Sequence, residues 1–279
     1  MPRLFVEQLT VLDCAFLDAQ RGLVGESWIV DLALDGELDE QGMVLDFGEV
    51  KKRLKRALDD TADHKLIVPA GAPGCAHTTQ GDTLRLRFES ATGAIEHRSP
   101  VAAVCLLEAA EVTADTLAAH LHSRLRRVLP PNVRGADLHL RHEAIDGAYY
   151  QYTHGLRKHA GHCQRIAHGH RSRLQIAVDG RRDERLERRR AELWKDIYLG
   201  TAADIAEHVG GRLRFAYRSG EGEFELVLPD DRCELLPVDT TVERIAEHLA
   251  AQAASERPGT KVEVRAYEGV MKGAVATRG

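Results

Sequence analysis

The sequence predicts an α+β fold made of two consecutive units of similar structure. Three observations lead to this prediction: an internal duplication, runs in which apolar and polar residues alternate, and apolar residues at helical spacing. The duplication is clearest where residues 25–40 align without a gap with residues 169–184 and share six identical residues. No linker rich in Pro, Gly or Ser separates the copies, so we expect them to pack as one body. We place the first unit at residues 1–149 and the second at residues 150–279.

Each copy contains a strand that ends at a turn signal. Apolar residues recur at every second position over residues 28–34 and over residues 174–178. The pairs Asp35-Gly36 and Asp179-Gly180 follow. Alternation is typical of a strand with one buried face, and Asp-Gly is typical of a tight hairpin turn. The sequence therefore predicts a strand and a hairpin turn in both copies.

Two amphipathic helices are predicted in each copy, because apolar residues recur three, four or seven positions apart. The apolar positions of the first helix are Phe47, Val50, Leu54 and Leu58 in one copy, after Asp46, and Leu186, Leu193 and Ile197 in the other. Those of the second helix are Leu117, Leu121 and Leu125, and Val242, Ile245 and Leu249. Residues 240–243 read Thr-Thr-Val-Glu, which predicts a capping box for the last helix.

Further strands lie between and after these helices. Alternating residues predict strands over residues 83–89 and 212–218, each followed by a turn that contains glycine and by a second strand. A strand closes each copy, over residues 137–142 and 261–266, and a glutamate follows, Glu143 in one copy and Glu268 in the other. Each copy is thus predicted to run strand, strand, helix, strands, helix, strand.

Composition and charge exclude several classes of protein. A hydrophobic share of 43% and a charged share of 29% are typical of a folded globular chain. The net charge of −5 provides no overall attraction for nucleic acid or for an anionic membrane. The arginine-rich segments 124–127 and 181–190 are interpreted as solvated helix faces. We therefore expect no nucleic-acid partner and no membrane.

The N-terminus and the cysteines indicate a reducing compartment. Glu7 and Asp13 fall where a signal peptide would have its apolar core, so we expect a cytoplasmic protein. Five cysteines are far apart and form no CxxC motif, which argues against a disulfide framework and against a thiolate zinc site.

Histidines cluster at the start of the second copy. His168 and His170 are two apart on a predicted strand, so both imidazoles point to the same face, and neutral imidazole is a good zinc ligand. A third ligand could come from His154, His159 or His162. The alternative is a surface histidine cluster without a metal. The matched positions in the first copy are Val24 and Glu26, so only the second copy can hold the metal.

Several short motifs resemble the 6-pyruvoyltetrahydropterin synthase and 6-carboxytetrahydropterin synthase family. They are Tyr152-Thr-His154-Gly-Leu156, Cys163 and His168-Gly-His170; Gly42-Met-Val-Leu-Asp46-Phe47; Asp63-His64-Lys65-Leu66; Glu143 with Ala148 and Tyr150; and, more loosely, Glu268 with Ala274. The motifs follow the family order. They are divided between the copies, because the first has the Asp-His pair and the second has the histidines and the cysteine. In the region of the Asp-His pair the second copy has Thr201-Ala-Ala-Asp204-Ile205.

The resemblance implies the tunnelling fold, or T-fold, in which units of antiparallel sheet with paired helices join into a barrel. It implies 7,8-dihydroneopterin triphosphate as substrate and Zn²⁺ held by His154, His168 and His170. Cys163 would move a proton as a thiolate, and Asp63 with His64 would form a second acid/base centre. Glu143 or Glu268 would bind the amino-pyrimidine edge of the pterin.

In this family an active site combines residues from neighbouring units, so the divided motifs predict one site per chain where unlike halves meet. The matched contact between the halves that contains Val24 and Glu26, which we call the opposite joint, should carry no chemistry. We expect a homo-oligomer, with an even ring of two chains, in some cases stacked as a tetramer, favoured over a trimer of chains. Triphosphate elimination, loss of acetaldehyde and aldol-type cleavage all remain open as reactions. The alternative function is a catalytically inactive paralogue that binds zinc and pterin as a binding or assembly subunit.

Overall fold

The computed structural model describes the backbone of residues 1–279 and the side chains of all of them except Phe47 and Glu49. The side chain of Phe47, one of the predicted apolar helix positions, thus lies outside the described residues. The order of helices and strands confirms the repeated pattern predicted from the sequence. The first half comprises β1 (Arg3–Asp18), β2 (Gly22–Gly36), α1 (Phe47–Ala62), β3 (Leu66–Pro69), β4 (Cys75–Gln80), β5 (Thr83–Phe88), β6 (Ile95–Pro100), β7 (Val104–Leu107), α2 (Ala114–Leu125) and β8 (Val133–Arg141).

The second half repeats this order with two additional short strands. It comprises β9 (Tyr149–His154), β10 (His168–Val178), β11 (Arg181–Arg182), α3 (Glu184–Leu193), β12 (Lys195–Thr201), β13 (Ile205–Val209), β14 (Arg212–Ser219), β15 (Gly222–Pro229), β16 (Cys233–Leu236), α4 (Val242–Ser255), β17 (Val262–Tyr267) and β18 (Gly273–Arg278).

Each half forms one large sheet that packs against its own helices. The strand order is β7-β3-β1-β2-β8 in the first half and β16-β12-β9-β10-β17-β18 in the second, with β11 paired to β10. Leu54 of α1 and Leu121 of α2 are buried against the first sheet, and Leu186 of α3 and Leu249 of α4 against the second. This separation of apolar and polar faces is what the helical spacing in the sequence predicts, except at Leu193, which ends α3 and is exposed.

A third sheet joins the two halves. We call it the joint sheet; its order is β13-β14-β15-β6-β5-β4, so three strands come from each half. The link is an antiparallel pair between β6 and β15, in which His97 lies opposite Leu226. Because β6 and β15 are matched strands of the two copies, this pairing relates the halves by an approximate two-fold axis. A central apolar cluster with Phe88 and Phe215 lies beneath the joint sheet.

The two large sheets also touch directly, at matched glycines. A Cβ placed on Gly169 would stand 2.7 Å from the Cα of Gly25, and a Cβ on Gly25 would stand 1.9 Å from the carbonyl oxygen of Tyr152. Only glycine allows the backbones to approach this closely. The start of β10 therefore lies against β2 of the same chain, and unlike halves meet within one molecule.

Three local predictions were wrong. Gly36 ends β2 without a hairpin, because β8 already pairs with that end of the strand, whereas Asp179-Gly180 does turn β10 into β11. Ile197 belongs to β12, because α3 ends at Leu193 and the strand begins at Lys195. Thr241 is the N-cap residue of α4, and none of the described side chains makes the capping hydrogen bond that the predicted capping box requires. Among the described residues, no helix combines the length and the apolar character needed to cross a lipid bilayer.

Candidate metal centre and acid–base site

Three histidine side chains meet where β9 ends and β10 begins. His154 is the last residue of β9, and the antiparallel register places it opposite His168, the first residue of β10. His170 points to the same face as His168 because the two are separated by one residue in a strand. All three are at most 1% exposed. One ring nitrogen from each lies within 4.8 Å of the other two, so the three can reach a common point.

Hydrogen bonds fix the position of the proton on two of these rings. Nδ1 of His154 donates to the carbonyl oxygen of Thr240 at 3.0 Å, and Nδ1 of His168 donates to that of Arg165 at 2.9 Å. A carbonyl can only accept, so Nδ1 carries the proton and Nε2 presents a lone pair. Nδ1 of His170 faces the Asp13 carboxylate instead, with 3.2 Å between Nδ1 and Oδ1. The Nε2 atoms of all three rings, and Nδ1 of His170 as well, are buried without a hydrogen-bond partner among the described residues.

This arrangement fits a zinc ion. Buried polar atoms without partners are costly, and three convergent imidazole lone pairs are a common zinc ligand set that leaves one position open. Burial, followed by the charge of neighbouring histidines, lowers the pKa of His154 and His168 well below 6.5, so both rings stay neutral, the form that binds metal. His159 and His162, the other candidate ligands, are exposed and lie outside this cluster.

The first half contributes a carboxylate–imidazole pair to the same place. Asp63 follows the last residue of α1, and His64 adopts a left-handed backbone with φ of 53° that turns its ring towards the second half. Oδ2 of Asp63 lies 2.7 Å from Nδ1 of His64, and the rings of His64 and His168 are 5.1 Å apart. The predicted Asp-His pair is therefore formed and lies beside the histidine cluster.

Cys163 completes this acid–base group. It lies in a single 3-10 turn, His162–Gln164, and its carbonyl accepts a hydrogen bond from the backbone N–H of Leu156 at 2.8 Å. The ligand atoms of His64, Cys163 and His168 lie within 4.8 Å of one another. Burial alone would lower the pKa of His64, but the hydrogen bonds with Asp63 and Cys163 outweigh it and raise this pKa from 6.5 to about 10. His64 is thus poised to hold a proton next to the thiol.

The two candidate glutamates lie on different faces of β10. Tyr267 ends β17, and the β10–β17 register continues so that Glu268 comes beside Ser172, on the same face as His170. The Glu268 carboxylate also contributes, after burial, to the raised pKa of Tyr150. Glu143 instead forms an ion pair with Arg173, whose side chain points to the opposite face.

The matched position of the opposite joint has different chemistry. Strand register places Phe16 where His154 stands in the other copy, beside Val24 and Glu26. Oε2 of Glu26 accepts a hydrogen bond from Gln151 at 2.8 Å and lies 3.1 Å from the ring of His142. The Glu26 carboxylate therefore has protein partners at this joint.

The second-copy counterpart of the Asp-His pair differs from the prediction. In the first half, Leu66 of β3 pairs with Ala15; in the second half, Tyr198 of β12 pairs with Thr153 at the matched position. Leu66 and Tyr198 therefore correspond, and so do the residues two positions before them, His64 and Asp196. Asp204, the residue predicted for that region, lies farther along and pairs with Arg157 at 2.9 Å. Asp196 instead accepts a hydrogen bond from Nε of Arg21 at 2.9 Å.

Sequence reasoning missed four residues around the histidine cluster: Asp13, Ser27, Thr240 and Lys272. Single aspartate, serine, threonine and lysine residues without a motif have no signal in one sequence. Asp13 is the most central of them. Its carboxylate lies 3.2 Å from Nδ1 of His170 and 3.2 Å from Nζ of Lys272, so it contacts the histidine cluster and a lysine at once.

Comparison with known proteins supports the resemblance seen in the sequence. Residues 18–153, and again residues 145–278, match the protein-family model described as 6-pyruvoyl tetrahydropterin synthase. A protein of Methanocaldococcus jannaschii, provisionally named 6-carboxy-5,6,7,8-tetrahydropterin synthase, is 30% identical over 132 residues, which cover 46% of this chain and 78% of that protein. Two family matches in tandem confirm the duplication. The unit boundary at residues 149 and 150 stays a prediction, because the matches overlap there.

Solved structures of two synthases are also similar to half of this chain. A variant of 6-pyruvoyltetrahydropterin synthase from Plasmodium vivax is 20% identical with a TM-score of 0.41, and covers 50% of this chain and 90% of its own. The synthase from Plasmodium falciparum is 17% identical with a TM-score of 0.41 and the same coverage.

Proposed function

This chain belongs to the 6-pyruvoyl tetrahydropterin synthase family, and we propose that it is a zinc-dependent pterin synthase whose active site lies where its unlike halves meet. The substrate is 7,8-dihydroneopterin triphosphate. Elimination of the triphosphate would give a 6-pyruvoyl product, and loss of acetaldehyde would give a 6-carboxy product. The M. jannaschii relative carries the name of the second activity.

His154, His168 and His170 would hold the zinc through their Nε2 atoms. When bound, Zn²⁺ supplies a Lewis acid that lowers the pKa of a substrate hydroxyl and stabilises an oxyanion. The buried Nε2 lone pairs without partners support this assignment. The protonated Nδ1 atoms of His154 and His168 point to backbone carbonyls, the outer-shell arrangement that orients histidine ligands in metal sites.

Cys163 and His64 would move the protons of the reaction. The thiolate of Cys163 would accept a proton from the substrate side chain, and the His64 imidazolium would return one. Asp63 would hold the His64 ring by the 2.7 Å contact and support its positive charge. Both groups lie beside the histidine cluster. This position suits a proton carrier, which must lie within reach of the reacting atom.

Glu268 would bind the amino-pyrimidine edge of the pterin by paired charge-assisted hydrogen bonds. Its place on the metal face of β10 favours Glu268 over Glu143, whose carboxylate is engaged by Arg173.

A closed homo-oligomer is part of this proposal. The large sheets end at β7 and β8 in the first half and at β16 and β18 in the second. Such edges invite pairing with further chains, and closed symmetry is the usual way to bury them.

One observation carries the proposal: His64 from the first half lies against Cys163 and His168 from the second. The test is incubation of the purified chain with 7,8-dihydroneopterin triphosphate and identification of the products by mass spectrometry. We expect a pyruvoyl or a carboxy pterin from the wild type and from Cys233→Ala, which removes a partly buried thiol elsewhere in the chain. Wild-type zinc protein that binds pterin without turnover would favour the inactive paralogue instead.

A further inference from the structure

Asp13 belongs to the first half but contacts a metal-ligand candidate of the second. It lies in β1 and is 4% exposed. Its Oδ1 atom is 3.2 Å from Nδ1 of His170, an ion-pair distance, and Nε2 is the ring nitrogen that we assign to the metal. A carboxylate that accepts a hydrogen bond from the second ring nitrogen of a histidine ligand fixes its tautomer and orientation, and the Asp13 carboxylate lies next to that nitrogen.

The Asp13 carboxylate is itself firmly held. The hydroxyl of Ser27 donates to Oδ1 at 2.6 Å, and Nζ of Lys272 donates to Oδ2 at 3.2 Å. A Cβ added to Gly269 would stand 2.4 Å from Oδ1, so the turn that follows Glu268 is packed directly on this group. Partners from both halves thus set the position of one buried carboxylate.

The backbone of Asp13 is tied to the acid–base pair. Its N–H donates to Oδ1 of Asp63 at 2.9 Å, and its carbonyl accepts from the N–H of His64 at 2.7 Å. The side chain and the backbone of one residue therefore contact two different parts of the site. This separation allows the carboxylate to be altered while the backbone contacts to Asp63 and His64 are kept.

At the opposite joint, the residue that corresponds to Asp13 also complements the side chain that it faces. Ser27 and Arg171 are matched residues of the two copies. Asp13 is the strand partner of Ser27 and Gln151 is that of Arg171, so Gln151 is the counterpart of Asp13. There the amide of Gln151 donates to Glu26, which stands in the position of His170. An acceptor thus faces the imidazole at one joint, and a donor faces the carboxylate at the other.

We propose that Asp13 is a positioning residue for His170, so that the first half sets the affinity of the second half for its metal. This inference rests on the zinc assignment of the proposed function. It goes beyond that assignment because it makes metal binding depend on the contact between the halves.

The test compares two isosteric changes in the full-length chain. Asp13→Asn removes the charge that faces His170, and we expect a zinc dissociation constant about 10- to 100-fold weaker by competition with a chelator of known affinity. Asp196→Asn is the matched control: it alters a carboxylate that is 5% exposed at the opposite joint. It should leave the zinc affinity unchanged, even where it lowers the unfolding midpoint as much as Asp13→Asn does.

Equal zinc affinity in the Asp13→Asn and wild-type chains would overturn the inference, and so would equal losses in Asp13→Asn and Asp196→Asn. If Asp13→Asn does not fold, Ser27→Ala removes the hydroxyl that holds the same carboxylate, and a weaker zinc affinity is expected there too; an unchanged one would overturn the inference. The double variant His168→Ala with His170→Ala distinguishes a failure of the zinc assignment from a failure of the role given to Asp13. If it keeps its zinc, the metal assignment itself fails; if it loses zinc while Asp13→Asn does not, only the role of Asp13 fails.

Discussion

Gly25 and Gly169, matched residues of the two copies, lie against each other where the large sheets of the two halves meet. The contact brings β2 of the first half to the start of β10, which carries His168 and His170. The histidine cluster thus lies directly at the joint between unlike halves. The close approach of two backbones explains why the chain places glycine at both positions.

Gly25→Ala should destabilise the joint. Its Cβ would stand 1.9 Å from the carbonyl oxygen of Tyr152 and 2.8 Å from the backbone nitrogen of His170, so backbone must shift. We expect a loss of about 1–3 kcal/mol or more in the free energy of unfolding, measured by chemical denaturation. Gly220→Ala is the control, because its nearest neighbour is the end of the Gln164 side chain at 3.3 Å. Equal stability of Gly25→Ala and the wild type would contradict the close joint.

Metal analysis should return about one zinc per chain, because among the described residues three histidines converge only in the second half. The double variant His168→Ala with His170→Ala should lose this zinc, since it removes two of three ligands. His159→Ala with His162→Ala is the matched control and should keep the metal, because both side chains are exposed. Undiminished zinc in the first double variant would refute the ligand assignment.

The opposite joint should contribute to stability and not to catalysis. Asp196→Asn weakens the ion pair with Arg21, which is partly exposed, so we expect a cost of roughly 1–3 kcal/mol in unfolding free energy. Turnover of the folded enzyme should be unchanged. A loss of turnover in the folded variant, measured well below its unfolding temperature, would show that this joint is not chemically silent.

Light scattering should give the mass of a closed homo-oligomer. The even ring expected from the sequence rests on the need for unlike neighbours, and the joint within one chain already meets that need. Two assemblies therefore fit the structure equally well. In one, first and second halves alternate around a single ring; in the other, each ring contains only one kind of half and every chain connects two stacked rings. A mass of two or four chains would support the alternating ring, and three chains would support rings of like halves. A stable monomer would contradict the assembly proposal.

The local motifs and the repeated order of elements could be predicted from the sequence, because alternation, helical spacing and His-Gly-His are properties of neighbouring residues. The choice between Glu143 and Glu268 could not, since it depends on which face of β10 each one reaches, and that follows from strand register. Asp196 was missed as the counterpart of His64 because the two share only a backbone conformation. Asp13 was missed because its role depends on contacts across the joint.

The most direct test of the central claim combines Cys163→Ala and His64→Ala. Each change removes an acid–base group without removing a proposed ligand, so each chain should keep its zinc and lose turnover by about 10²- to 10⁴-fold. Because His64 and Cys163 meet within one chain, co-assembly of the two variants should restore no activity. Recovered turnover in the mixed oligomer would place the active site between chains, and full activity of either variant alone would refute the role of that residue.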